Sequence, residues 1–332
     1  MSDSAMRETE GDVVAVVVTY GARRHLLQDV LAALQVEAPT RVLVVDNGCS
    51  WNVKQELSAA HGDWVDVVDM GQNTGSAPAY AAGVRRAAEL GARWIWLLDD
   101  DNKPCFGSLA VLRGAHARFL DPGNPFFAVA AIRPIGLPDV PARHWSPRHS
   151  AFCGFHFLDI PRKLGRRIGR RQPTSLPTDP TPVEVSAYGG MFFAAPLVEA
   201  IGLPRNDFVL YCDDYEWSSR ITAAGGRILV VPQAKVTDLG VTWGSAKGNH
   251  VRSLLDGGKD SLAYYAARNE AYFFANRWRR SRLEYLLNAI IFRTLLWSLS
   301  WARGRRKRYR ILRRAMREGH AGQLGMRPEF PL

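Results

Sequence analysis

Four short apolar runs organise the first hundred residues, and each stops in polar ones. Val13–Thr19 (VVAVVVT), Arg41–Asp46 (RVLVVD), Trp64–Met70 and Trp94–Leu98 are largely apolar and, in the first two, strongly β-branched. Segments of helical period lie between them, at His25–Leu34, Lys54–Ala60 and Ala77–Leu90. Strands alternating with helices of this length predict βαβ units, and strands that are apolar throughout predict a parallel sheet buried on both faces. The expected fold class is therefore α/β, with a Rossmann-like, mostly parallel central sheet flanked by helices. In such sheets ligands bind beyond the carboxyl ends of the strands. The polar residues at those ends are Thr19-Tyr20, Asp46-Asn47, Gln72-Asn73 and Asp99–Asp101, four separated segments that can converge on one crevice.

Phe126–Ile132 reads as a fifth strand, and Arg227–Val231 as a later one. Between Pro134 and Pro182 the chain is irregular, and Arg162, Lys163, Arg166, Arg167, Arg170 and Arg171 form a basic cluster there; a long loop is expected. Order is expected to resume over Val183–Ala194. A helix over Asp214–Ala224 would end at Gly225-Gly226, a good C-terminal stop. A chain of 332 residues suits one large α/β domain or two small ones. Its four cysteines are scattered, with no CxxC pair, which argues for reduced thiols rather than a disulfide framework or a zinc site. The opening MSDSAMRETEGD lacks an apolar stretch, so residues 1–11 are expected to be a disordered lead-in and not a secretory signal. The net charge of +11 is concentrated near the other end. Arg277–Glu318 holds 14 Lys and Arg against two Glu, about +12, so the rest of the chain is close to −1. A tail this basic points to an anionic surface.

The strand Trp94–Leu98 runs straight into three carboxylates, Asp99, Asp100 and Asp101. Neighbouring like charges at a strand's mouth repel and are only partly solvated. A divalent cation held by oxygen ligands relieves this, and Mg²⁺ or Mn²⁺ so placed commonly bridges to nucleotide phosphates; a solvated acidic turn is the other reading. The second acidic site is Asp213-Asp214. One of these can serve as a general base, or simply cap the helix that follows. Gly189-Gly190 permits close approach of a ligand to the backbone, or marks a bulge. Gln72–Ser76 leads into a helix whose N-terminus can hold an anion, although capping alone also selects Ser or Thr. There is no GxGxxG after the first strand and no GxxxxGK[ST], so neither a nicotinamide dinucleotide site nor a P-loop is supported.

Taken in order, these features resemble the family 2 inverting glycosyltransferases, which have the GT-A fold. The resemblance rests on Thr19-Tyr20, Val44–Asn47 (VVDN), Asn73-Thr74-Gly75, Leu97–Asp101 (LLDDD), Gly189-Gly190, Asp213-Asp214 and Arg268–Phe273 (RNEAYF). It covers roughly residues 12–275, and the triple aspartate is most similar to the galactofuranosyltransferases, with rhamnosyltransferases as close relatives. The implied organisation is a lead-in over 1–11, a GT-A domain over 12–275 and a basic amphipathic helical tail over 276–332. The resemblance implies that Thr19, Tyr20 and Asp46 hold the nucleotide base and that Asn73 and Gly75 border the nucleotide. Asp99 and Asp101 match the family's DxD element, with Asp99 towards the ribose or diphosphate and Asp101 on the metal; Asp100 lies between them on the donor side. Gly189 and Gly190 face the donor sugar and acceptor, and Asp214 matches the catalytic base. The implied cofactor is Mg²⁺ or Mn²⁺, with Asp99, Asp101 and Asp238 as its candidate ligands. Asp238 stands where the family often has a histidine after the strand near Pro232, and His250 is the other candidate to complete the shell. The helix after Gly75 carries Ala79–Gly83 where the family often has an asparagine, so contacts from that helix are not carried over.

The implied partners are a nucleoside-diphosphate sugar (UDP or dTDP) and a glycan or lipid-linked glycan acceptor. Leu283–Trp301 is nearly long enough to span a bilayer, but Arg293 near its centre favours an amphipathic helix lying in the interface. Arg303–Arg317 would then reach anionic headgroups, which predicts a cytoplasmic protein peripheral on the inner face of the membrane. A buried C-terminal helix is the alternative. Competing functions are a nucleotidyltransferase, whose glycine-rich signature is absent, and a non-catalytic glycan-binding relative. A nucleic-acid binder is a third, but no such module is recognisable and no nucleic-acid partner is expected.

Overall fold

The computed structural model describes residues 12–133, 147–161, 178–240 and 250–332. The lead-in 1–11 and the cluster Arg162–Arg171 lie outside the described residues. Two compact units divide the chain. The larger contains the described residues up to 133 with 178–206 and 214–240; the smaller contains 147–161, 207–213 and 250–332.

The larger unit is the expected α/β sheet. Its elements run β1 (Val13–Gly21), α1 (Arg24–Glu37), β2 (Arg41–Cys49), α2 (Val53–His61), β3 (Val65–Asp69), α3 (Ser76–Glu89), β4 (Trp94–Asp99), β5 (Asn102–Pro104), α4 (Ser108–Phe119) and β6 (Phe127–Ile132). They continue with β7 (Thr181–Val183), β8 (Met191–Ala194), α5 (Pro196–Ile201), α6 (Asp213–Ala223) and β9 (Arg227–Asp238). The nine strands are ordered β3-β2-β1-β4-β8-β6-β9-β5, with β7 also on β9. β1, β2, β3 and β4 are mutually parallel neighbours, whereas β8 is antiparallel to both β4 and β6.

The apolar runs are explained by burial on both faces. One face of β1 and β4 presents Val14, Val16, Ile95 and Leu97 to α3 and α6; the other presents Val13, Ala15, Val17, Trp96 and Leu98 to α1 and α4. The register then aligns the strand ends, pairing Thr19 with Asp46, Asp46 with Asp69, and Val18 with Asp99. Polar residues far apart in sequence thus share one rim. β9 runs to Asp238, past the expected end at Val231. After Val231 a bulge interrupts its parallel pairing with β6, which resumes with Ile132 opposite Lys235, and from Val236 the strand takes β5 as an antiparallel partner, Asn102 opposite Asp238.

The smaller unit is helical: α7 (His250–Asp256), α8 (Asp260–Asn276), α9 (Arg282–Ala302) and α10 (Arg306–His320). α9 starts on a side-chain N-cap, with the Ser281 hydroxyl oxygen accepting the Glu284 N–H at 3.3 Å. Its inner face buries Tyr285, Asn288, Ala289, Phe292 and Leu296, and Asn288 donates to the Ser150 carbonyl and accepts the Phe157 N–H. Its outer face leaves Leu283, Leu286, Leu287, Ile290, Trp297 and Trp301 exposed. Among the described residues, no helix is long and apolar enough to cross a membrane.

Candidate active site

Every residue of this site belongs to the larger unit. At the rim, Thr19 is fully buried and donates its hydroxyl to Asp100 at 2.8 Å. Tyr20 is exposed, with its hydroxyl accepting from Arg23 at 2.8 Å. Asp46 accepts the Cys49 N–H across the β2 turn. Asn47 joins that turn to the next segment. Its oxygen accepts both the N–H and hydroxyl of Thr74, and its amide donates to Asn73 and to the Gly75 carbonyl. Gly48 lies so close to the backbone of Gln72 and Asn73 that no side chain fits there. The segment bordering α3 is therefore held by β2, a role in which Asn47 and Thr74 matter as much as Asn73 and Gly75.

The three aspartates point to different partners. Asp99 accepts the Tyr80 hydroxyl at 2.7 Å, so α3 does reach the site, through a tyrosine. Asp100 is buried between Thr19 and Arg23, whose guanidinium lies 2.9 Å away. Burial pushes the Asp100 carboxyl up to about 7, against the pull of Arg23. Asp101 contacts Arg23 at 2.6 Å and accepts from Asn102 at 3.1 Å. The same Asn102 amide donates to Asp238 at 2.9 Å, and Arg133 grips Asp238 at 2.8 Å. Asn102 thus ties the end of β4 to the end of β9.

Gly189 explains itself here. A Cβ at this position would overlap the Asn102 side-chain oxygen and crowd the Arg133 guanidinium. Gly190, at φ +91°, bonds across to Leu97 and Ala131, which seats β8 between β4 and β6.

Asp214 is the second residue of α6 and accepts the Tyr215 N–H at 2.8 Å. Its carboxyl lies deep among protein atoms, though the residue keeps partial solvent access. Desolvation pushes it up to about 7; the charge of Asp99 adds to the rise and that of Arg133 opposes it. Asp99 and Asp214, 115 positions apart in sequence, are thus near enough for the charge of one to raise the proton affinity of the other. Five carboxylates (Asp99, Asp100, Asp101, Asp214 and Asp238) face two guanidiniums, Arg23 and Arg133. The pairings of Arg23, Arg133, Asn102 and Tyr80 depend on register, and no local motif announces them.

A divalent cation fits part of this arrangement. Asp101 and Asp238 are hard oxygen donors drawn to one amide, and Mg²⁺-type sites often use one or two carboxylates with phosphate oxygens completing the shell. Asp99 is instead engaged by Tyr80, and among the described residues no three His, Cys, Asp or Glu side chains gather as a ready-made cluster. The His250 side chain lies outside the described residues.

Known proteins agree with this fold. The chain is 30% identical over 223 residues to galactofuranosyltransferase GlfT1 of Mycolicibacterium smegmatis, covering 65% of this chain and 68% of that protein. It is 24% identical over 227 residues to the dTDP-rhamnosyl transferase RfbF of Shigella flexneri, covering 68% of each. The chain thus spans about two thirds of the length of these relatives. A crystal structure of GalNAc-T7 with UDP, GalNAc and Mn²⁺ superposes with a TM-score of 0.54 at 16% identity, over 78% of this chain and 50% of that one, a likeness of fold. No model of a protein family matches the chain. On the sheet order, the strand-end site and the 30% identity, the chain belongs to the glycosyltransferase family of these galactofuranosyl- and rhamnosyltransferases.

Proposed function

We propose that this glycosyltransferase moves a sugar, galactofuranose or rhamnose, from a nucleoside-diphosphate donor to a hydroxyl of a glycan or lipid-linked glycan, with inversion at the anomeric carbon. The observation that carries this reading is the gathering of Asp99, Asp101 and Asp238 with Asn102 and Arg133 at the strand ends, with the Asp214 carboxyl raised to about 7 and near enough to feel the charge of Asp99. The relatives named for galactofuranosyl and dTDP-rhamnosyl transfer support the choice of donors.

In this reading Thr19, Tyr20, Asp46, Asn73 and Gly75 line the nucleotide side, and Gly189 and Gly190 line the sugar side. Asp214 accepts the proton of the acceptor hydroxyl as that oxygen bonds to the anomeric carbon. The bond from that carbon to the diphosphate breaks, its electron pair leaving with the diphosphate. One displacement from the opposite face gives inversion. A positioned base of this kind contributes about 10²–10⁴-fold. Arg23 and Arg133 hold positive charge beside the acidic cluster, where a diphosphate oxygen would otherwise meet only carboxylates. Mg²⁺ or Mn²⁺, when bound at Asp101 and Asp238, would supply Lewis-acid neutralisation of the departing diphosphate. The smaller unit is assigned to an anionic membrane surface, on the strength of the exposed face of α9 and the basic tail.

The test is direct. UDP-galactofuranose and dTDP-rhamnose are screened with Mg²⁺ or Mn²⁺ for thermal stabilisation of the purified protein, and the stabilising donor is then used in transfer assays. Asp214→Asn should keep donor binding within about threefold and lose transfer by about 10²-fold or more. Turnover by that variant at the wild-type rate would reject the assignment.

A further inference from the structure

The segment leading into Asp213 and Asp214 has an unusual backbone. Val209, Tyr211 and Cys212 have φ of +68°, +68° and +61°. Residues 207–212 (DFVLYC) contain no glycine or asparagine, the residues that tolerate this region, and a β-branched valine there is a genuine outlier. Such a conformation persists only where its surroundings over-determine it.

The surroundings are two adjacent side chains of α8, both fully buried, from the RNEAYF stretch to which sequence attached no role. The Asn269 amide donates to the carbonyls of Phe208 (2.7 Å), Leu210 (2.8 Å) and Tyr211 (2.9 Å). The Arg268 guanidinium donates to the carbonyls of Phe208 (2.9 Å) and Asp207 (3.2 Å), and its Nε to the Asn269 side-chain oxygen (2.9 Å). Its remaining arm donates to the Gly325 carbonyl, while the Gly325 N–H returns a 2.7 Å bond to the Asp207 carbonyl. Around Gly325 the terminal segment is pinned to α8: Tyr265 accepts the Arg327 N–H and donates to the Phe330 carbonyl. Four carbonyls of one strained turn are thus held by buried donors, and the turn continues by peptide bonds into Asp213 and Asp214.

We propose that Arg268 and Asn269 are positioning residues: they clamp the left-handed turn 207–212, with Gly325 as a strut, and so fix where the chain enters Asp214. The functional half of this inference rests on Asp214 as the base. An ordinary loop before a helix would relax to extended backbone; this one is held away from it up to Cys212, two residues before the candidate base.

The experiment compares wild type, Asn269→Ala and Arg268→Lys by amide hydrogen exchange and by transfer kinetics, with UDP and Mn²⁺ as the binding probe. Exchange at 207–213 should accelerate at least tenfold in both variants, with Val13–Val18 unchanged. Turnover should fall at least thirtyfold while UDP affinity stays within threefold. Adding Tyr211→Gly to Asn269→Ala should recover at least fivefold of that turnover, because glycine holds positive φ unaided. Unchanged exchange at 207–213 overturns the clamp, as does turnover that stays at wild-type level or falls in step with UDP affinity. Arg268→Lys, which keeps the charge, decides the matter if Asn269→Ala does not fold. If wild-type protein transfers sugar from neither donor, the proposed function fails, and the exchange comparison still decides the clamp.

Discussion

At Asp214, burial and chemistry pull in opposite directions. The folded protein raises its carboxyl from 3.8 to about 7, chiefly by desolvation. A carboxyl that binds its proton more tightly when folded favours folding while protonated. That contribution is fully present below about pH 4 and is lost as pH rises through 7. Asp100 moves the same way for the same reason. Both groups therefore make the ligand-free protein less stable at pH 8 than at pH 5. Asn at position 214 stays neutral, so Asp214→Asn should raise Tm at pH 8 by a few degrees and change it less at pH 5. Were Asp214 only a helix cap, the same substitution would leave Tm at pH 8 nearly unchanged, because Asn and Asp cap about equally well. Turnover should follow the opposite course, rising with pH along a limb centred near 7 as the base loses its proton. Differential scanning calorimetry and a pH–rate profile check the two halves separately.

Among elements, α3 is the one whose seating the sequence least explains. Gly83 lies mid-helix, where glycine costs about 1 kcal/mol relative to alanine. A Cβ there would sit 2.6 Å from Val16 Cγ1 and 2.9 Å from Val45 Cγ2, on two neighbouring core strands. Neither valine has space to yield, so overpacking of about 1–3 kcal/mol should outweigh the gain in propensity. Gly83→Ala should lower Tm by several degrees and loosen the Tyr80–Asp99 contact; a raised Tm would show that α3 sits less closely than this. β1, β2 and β4 and the helices between them are legible because each of these strands is apolar on both faces, and burial on both faces is what writes that pattern; β3, with only Val65 buried, is legible by its valines alone. β9 is longer than its sequence suggests: Pro232 signals a break, whereas the strand bulges there, rejoins β6 at Lys235 and adds β5 as an antiparallel partner. The aspartates were legible as a run of like charge at a strand end. Arg23, Arg133 and Asn102 were not, because their pairings join residues 78, 105 and 136 positions apart and exist only through sheet register. The turn at 207–212 was equally silent, since positive φ without glycine leaves no mark in composition.

At the scale of the molecule, charge and apolar exposure fall on the helical unit. Leu283, Leu286, Leu287, Ile290, Trp297 and Trp301 recur at helical spacing and remain exposed, Leu283 at 80% and Ile290 at 62%. They form one stripe along α9, about 27 Å long at 1.5 Å per residue. Arg282 and Arg293 flank it, and the Arg306 guanidinium lies over the Trp301 ring, 3.4 Å from its centroid. An apolar stripe edged by arginines and tryptophans matches a helix lying in a bilayer interface. A second copy of the chain fits less well, because it would bring two strongly basic surfaces together. Burying Leu286 and Ile290 in lipid is worth about 1.5–3 kcal/mol each, so Leu286→Ser with Ile290→Ser should weaken binding to phosphatidylglycerol vesicles by at least about 30-fold. Both side chains are solvent-exposed, so the fold should be unaffected. Binding should also weaken with added salt and be poor on phosphatidylcholine alone, because the tail supplies the electrostatic share. Co-sedimentation that is equal for wild type and the double variant would reject the lipid assignment. A wild-type dimer in sedimentation velocity, abolished by the same pair of substitutions, would give the stripe to a second copy instead.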